Sequence, residues 1–201
     1  MTSNIKKIAA GFTLVETLVA VLILSVAIAG PLTIAARGLN AALISKDQIT
    51  AFYLAQDAVE YVRFKRDTYT LCIAAGQTTG SCAGATSWLG SGAGTLSLCT
   101  SPSGAGLPNA CYIDSRANTI TQCSAGNCSN ALKYNSSSGA NYYTYTAGSN
   151  VANTIFKRSV KITNPLNGKS DEAQLTVVIT WNDVGGTSHN VTVTENLLNW
   201  Q

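Results

Sequence analysis

Histidine is almost missing from this chain: His189 is the only one, so any serine or cysteine nucleophile has a single candidate imidazole base. No C-x-x-C pair occurs among the six cysteines, which with one remote histidine leaves little from which to build a structural zinc site. Glycine-rich pieces such as Gly90-Ser91-Gly92-Ala93-Gly94 lack the lysine and the strand-to-helix setting of a phosphate loop. Charge is scarce too, at 11% of residues with a formal net +3, and without Lys6 and Lys7 it falls to +1. So weak a positive balance makes nucleic acid no obligatory partner. No catalytic, cofactor-binding or metal-ligating residue is assigned, and an enzyme is not expected.

What the chain does have is an uncommon front end. From Phe12 to Ala36 runs an apolar stretch of 25 residues whose one charge is Glu16, and the next is Arg37. As a helix it is about 37 Å long, enough for a hydrocarbon core of about 30 Å. A carboxylate costs roughly 2.5–3.5 kcal/mol at mid-membrane and less near an end, so such a charge usually has a partner. Glu16 lies one helical turn after Phe12. Were the chain cut between Gly11 and Phe12, the new amino group would be a cation in the same apolar layer. A neighbouring copy's terminus could then neutralise Glu16.

Gly11-Phe12-Thr13-Leu14-Val15-Glu16, behind a basic leader and ahead of a long apolar run, resembles the prepilin processing site of type IV pilins and type II secretion pseudopilins. The resemblance implies that a prepilin peptidase/methyltransferase cuts after Gly11 and N-methylates Phe12, and that Glu16 guides the subunit into a filament of other pilins. The rival is an ordinary signal peptide cut after Ala27-Ile28-Ala29, leaving a mature chain from Gly30. Against it stand the glutamate in the apolar run and the amphipathic helix that continues beyond. Gly30-Pro31 is the weak point of the helix, because proline removes a donor and crowds the carbonyl of Ala27; a kink or a locally melted turn is expected there. In pilin-like filaments a proline in this region marks a segment that loses regular helix on packing.

After removal of residues 1–11, 190 residues remain, enough for a long helix and one globular domain. Six cysteines at 72, 82, 99, 111, 123 and 128 lie beyond the apolar segment, and their even number reads as a disulfide framework made in an oxidising compartment. Fifteen pairings are possible. Spacing suggests neighbours: Cys72 with Cys82, Cys99 with Cys111, and Cys123 with Cys128.

The expected organisation is a leader (1–11), a transmembrane or filament-core helix (12–37), an amphipathic spine helix (38–67), a cysteine-rich loop region (68–155) and an antiparallel sheet (156–201). In the spine Leu39, Leu43, Ile49, Phe52, Ala55, Val59 and Val62 recur at helical spacing, opposite Lys46, Asp47, Gln56, Asp57, Glu60 and Arg63. Arg63, Lys65 and Arg66 are placed in its last turn. The middle shows no periodicity, and one or two short strands are expected there. Alternation returns at Arg158–Thr163, Leu175–Trp181 and Asn190–Thr194, three strands of a meander whose apolar face suits the helix stripe. The fold class is therefore α+β.

Trp181 at a strand end and the threonine-rich 191–194 resemble the minor-pilin branch, which includes the type IV pilus modification protein and minor pseudopilin I of type II secretion. That likeness implies a single-pass inner-membrane precursor, in membrane lipid with its head outside, that later joins an extracellular or periplasmic filament. A tip or surface adhesin acting through residues 70–154, and a pseudopilin of protein secretion or DNA uptake, are the alternatives.

Overall fold

The computed structural model describes Gly11 and residues 13–101, 109–124, 126–137 and 139–199. The chain divides into two compact units, Met1–Lys46 and Asp47–Gln201. One helix, α1 (Leu14–Ala74), contributes to both.

In the first unit α1 is apolar on every side, and every described residue from Thr13 to Leu43 is exposed. Leu14, Leu18, Leu22, Ile23, Leu24 and Val26 are each more than half exposed. A helix greasy all round has no stable place in water, and this one is long and apolar enough to cross a membrane. Of the expected kink or melted turn at Gly30-Pro31, the melted turn is absent, since α1 is helical through both residues. The Thr33 hydroxyl donates to the carbonyls of Ala29 at 2.6 Å and Gly30 at 3.1 Å, adding bonds to the turn that the proline enters.

In the second unit α1 buries Ala51, Leu54, Ala55, Ala58, Val59, Tyr61, Val62, Lys65, Tyr69 and Cys72, a stripe advancing in steps of three and four. Ala51, Ala55 and Ala58 have no exposed surface. The expected stripe needs correction. Ala55, Val59 and Val62 do face the core, whereas Leu39, Leu43, Ile49 and Phe52 are half exposed or more. Leu39 and Leu43 belong to the first unit, which has no sheet, and Ile49 and Phe52 fall outside the arc centred on Ala55 and Ala58. The helix also continues past residue 67, because Tyr69 and Cys72 prolong its buried face. Arg63, Lys65 and Arg66 are thus not in its last turn. Arg63 pairs with Glu195, Arg66 pairs with Asp67, and the Lys65 stem lies beside the rings of Tyr61 and Tyr69, where burial pushes its ammonium pKa down.

The sheet has eight strands: β1 (Thr100–Ser101), β2 (Cys111–Asp114), β3 (Thr119–Gln122), β4 (Ala131–Ser137), β5 (Ala140–Thr144), β6 (Val151–Thr163), β7 (Glu172–Asn182) and β8 (Ser188–Leu198). β6 is its hub. One edge of β6 pairs with β7, and the other takes β4, β2 and β1 in turn along its length; only β1 runs parallel. The antiparallel meander β6-β7-β8 is the one the alternation gave, with Leu175, Val177, Ile179 and Trp181 buried on one face. The cysteine-rich region is less irregular than expected, since β1 to β5 come from it and β6 begins at Val151. Its strands are short and polar, so their alternation is faint in the sequence.

Three disulfides join Cys72 to Cys82, Cys99 to Cys111 and Cys123 to Cys128. The first ties the last turn of α1 to a 3-10 turn at Gly80–Cys82, and the second lies in the core. Closing loops of this size is worth about 2–3 kcal/mol each in the chain-entropy account, least for the short Cys123–Cys128 loop.

Two buried charged groups fix the middle to the sheet. The Arg158 guanidinium, 2% exposed, donates to the carbonyls of Leu54 and Ile113 and to Asp57. The Asp114 carboxylate accepts from the backbone of Arg116, Ala117 and Tyr145 and from the Thr144 hydroxyl. Burial raises the Asp114 pKa, but these hydrogen bonds outweigh it and hold the carboxyl below its ordinary value. Its contribution is therefore complete above the unfolded-chain pKa and is lost as pH falls through the lower folded one. Thermal unfolding of the detergent-solubilised chain should show a drop in stability on that acid side. Asp114→Asn should be weaker at neutral pH and lack that drop; an unchanged acid limb would refute the assignment.

Candidate processing and assembly segment

The start of α1 is set by its own residues. Thr13 precedes the first helical residue, and the Glu16 N–H donates to the Thr13 hydroxyl oxygen at 3.3 Å while the Thr17 N–H donates to the Thr13 carbonyl at 3.2 Å. Thr13-Leu14-Val15-Glu16 has the threonine-x-x-glutamate spacing of a capping box, a local signal of the helix start that lies in the sequence beside the processing motif. It places the Gly11-Phe12 bond just ahead of the helix. Gly11 is exposed, and nothing lies within 4 Å of the position a Cβ would occupy there. Phe12, expected to become the methylated terminus, and leader residues 1–10 lie outside the described residues.

Glu16 stands in the first turn, where a carboxylate suits the positive end of the helix dipole. The other polar side chains of this stretch are satisfied by the helix itself. The hydroxyls of Thr17, Ser25 and Thr33 donate to the carbonyls of Leu14, Val21 and Ala29. The Glu16 side chain has no partner among the described residues. It is also the one charge between Lys7 and Arg37. In an apolar layer its countercharge has to be brought by another molecule or by the new terminus.

A family model described as the prokaryotic N-terminal methylation motif matches residues 6–30. The chain carries the prokaryotic N-terminal methylation motif. The motif is the type IV pilin and pseudopilin signal, and its matched span takes in Lys6, Lys7, the Gly11-Phe12 bond, Glu16 and Gly30. It implies processing by a prepilin peptidase and assembly with other pilins. With the apolar helix behind it, the motif fits a single-pass membrane-anchored protein that is later surface-exposed. No curated protein and no solved structure matches the chain.

Gly30 and Pro31 remain inside α1, and all six cysteines belong to the second unit. Arg158 and Asp114, which no sequence motif marks, organise that unit.

Proposed function

We propose that the protein is a minor pilin or pseudopilin, a structural subunit that assembles into or primes a type IV pilus-like filament once a prepilin peptidase has removed residues 1–11. Its role is assembly rather than catalysis. The observation that carries the reading is Glu16: one carboxylate without a partner among the described residues, in the first turn of a helix whose apolar residues are all exposed as far as Leu43, one turn from the bond whose cleavage yields an amine. Freed from its leader, the helix leaves lipid for a filament core in which the Phe12 amino group of a neighbouring subunit neutralises Glu16. Before assembly the precursor is held in the inner membrane with its head outside. The minor branch is favoured by the strand ending at Trp181 and the threonine-rich β8.

The test is the mature terminus. The chain expressed in a host with a prepilin peptidase should be recovered, by intact mass and N-terminal sequencing, beginning with N-methylated Phe12. A mature chain beginning at Gly30 would overturn the proposal in favour of an ordinary signal peptide.

A further inference from the structure

A cleft of about 460 Å³ opens on the second unit between β2, β3, β4 and β6. Its walls carry the rings of Tyr112 and Tyr145, tilted at 58° with centroids 5.0 Å apart. Around them stand Thr121, Asn130, Lys133 and Asn153, whose side chains make no hydrogen bond among the described residues. Among the described residues no carboxylate lines the cleft, and Lys133 is the one charged residue that does. We propose that this cleft binds an acidic saccharide. The apolar C–H face of a sugar ring packs on tyrosine, its hydroxyls exchange hydrogen bonds with the two amides and Thr121, and its carboxylate meets the Lys133 ammonium.

The rings are held in place before any ligand arrives, which reduces the ordering cost of binding. Tyr112 packs beside Ala110 and the Cys123–Cys128 disulfide, and its hydroxyl oxygen accepts from the Asn130 N–H at 2.9 Å. The small disulfide loop thereby presents Asn130 at the rim. Tyr145 is fixed twice: its backbone N–H donates to Asp114 at 2.7 Å and its hydroxyl donates to the Arg158 carbonyl at 3.2 Å. Burial pushes the Tyr145 phenol up to about 12, so it remains a neutral donor. None of the lining residues belongs to α1, so the proposal stands independently of how the helix assembles.

Titration calorimetry of the full-length chain in detergent micelles tests it, with hyaluronan tetrasaccharide as the acidic probe and chitotetraose as the neutral one. The acidic probe should bind, and the neutral one more weakly. Lys133→Gln should weaken the acidic probe by about tenfold, the loss of a charge-assisted contact, and weaken the neutral one much less. Tyr112→Leu should weaken both, with far-UV circular dichroism reporting an intact fold. Failure of both probes to bind would overturn the proposal. So would equal binding of the two, or acidic binding that neither substitution alters.

Discussion

Arg158→Ala should cost the second unit about 3 kcal/mol or more. Three bonds disappear together, from Arg158 to the carbonyls of Leu54 and Ile113 and to the Asp57 carboxylate. Asp57 is the lesser part. Its side chain is 43% exposed, so water screens the ion pair and rehydrates the carboxylate once the arginine is gone. The carbonyls and the volume of the guanidinium decide the outcome, because Leu54 and Ile113 are buried away from water. Denaturant unfolding of the detergent-solubilised chain should therefore rank Arg158→Ala well below wild type. Asp57→Asn should lie close to wild type, and Arg158→Met between the two, since it restores packing without donors. Arg158→Ala within about 1 kcal/mol of wild type would show that these bonds contribute little beyond what water supplies. A loss of the expected size is a substantial share of the roughly 5–15 kcal/mol that holds a domain folded.

Arg158 also marks where the sequence could be read and where it could not. The alternation of β6 sets Arg158 on the same face as Val160 and Ile162, so the pattern itself placed a cation in the core. What no local pattern supplied was its partners, which come from α1 and β2, 101 and 45 residues away in sequence. The meander was legible because Leu175, Val177, Ile179 and Trp181 repeat with period two over a long strand. The hairpins β2-β3 and β4-β5 were not, because Thr119–Gln122 buries one residue in four and Asn135, Ser136 and Ser137 carry no apolar signal. Their strands exist because β6 offers an edge to pair with, which is tertiary context rather than propensity. For the spine, helical spacing alone admitted more than one stripe, and only the sheet chose the arc through Ala51, Ala55, Ala58 and Val62. The assembly segment was more legible than the head. A basic pair, a glycine, a glutamate and an apolar run are local features, and Thr13 adds a cap at the helix start.

Glu16→Ala should leave cleavage and N-methylation at wild-type levels and cut the amount of the chain in sheared filaments by tenfold or more. On the proposed reading the peptidase recognises the leader and the Gly11-Phe12 bond, ahead of Glu16 in sequence, whereas entry into the filament uses the Glu16 charge. In lipid, alanine is more comfortable than a carboxylate, so the variant loses any electrostatic incentive to leave the membrane. In the filament it forfeits a charge-assisted bond to a neighbour's amine, worth about 1.5–3 kcal/mol, or roughly tenfold to a hundredfold in occupancy. Both effects shift the subunit toward the bilayer. Glu16→Gln separates charge from shape, since it retains the side chain's length and one acceptor; it should assemble nearly as poorly as alanine. The countercharge can be tested from the other side by blocking the cut with a bulky residue at Gly11, which leaves no free amine on Phe12. In mixtures of a blocked copy with a wild-type copy, only the wild-type copy can donate an amine, and adding Glu16→Ala to the blocked copy should still reduce its entry. Wild-type amounts of Glu16→Ala in filaments, with processing intact, would mean that the apolar helix assembles without its acid and that this carboxylate serves something else.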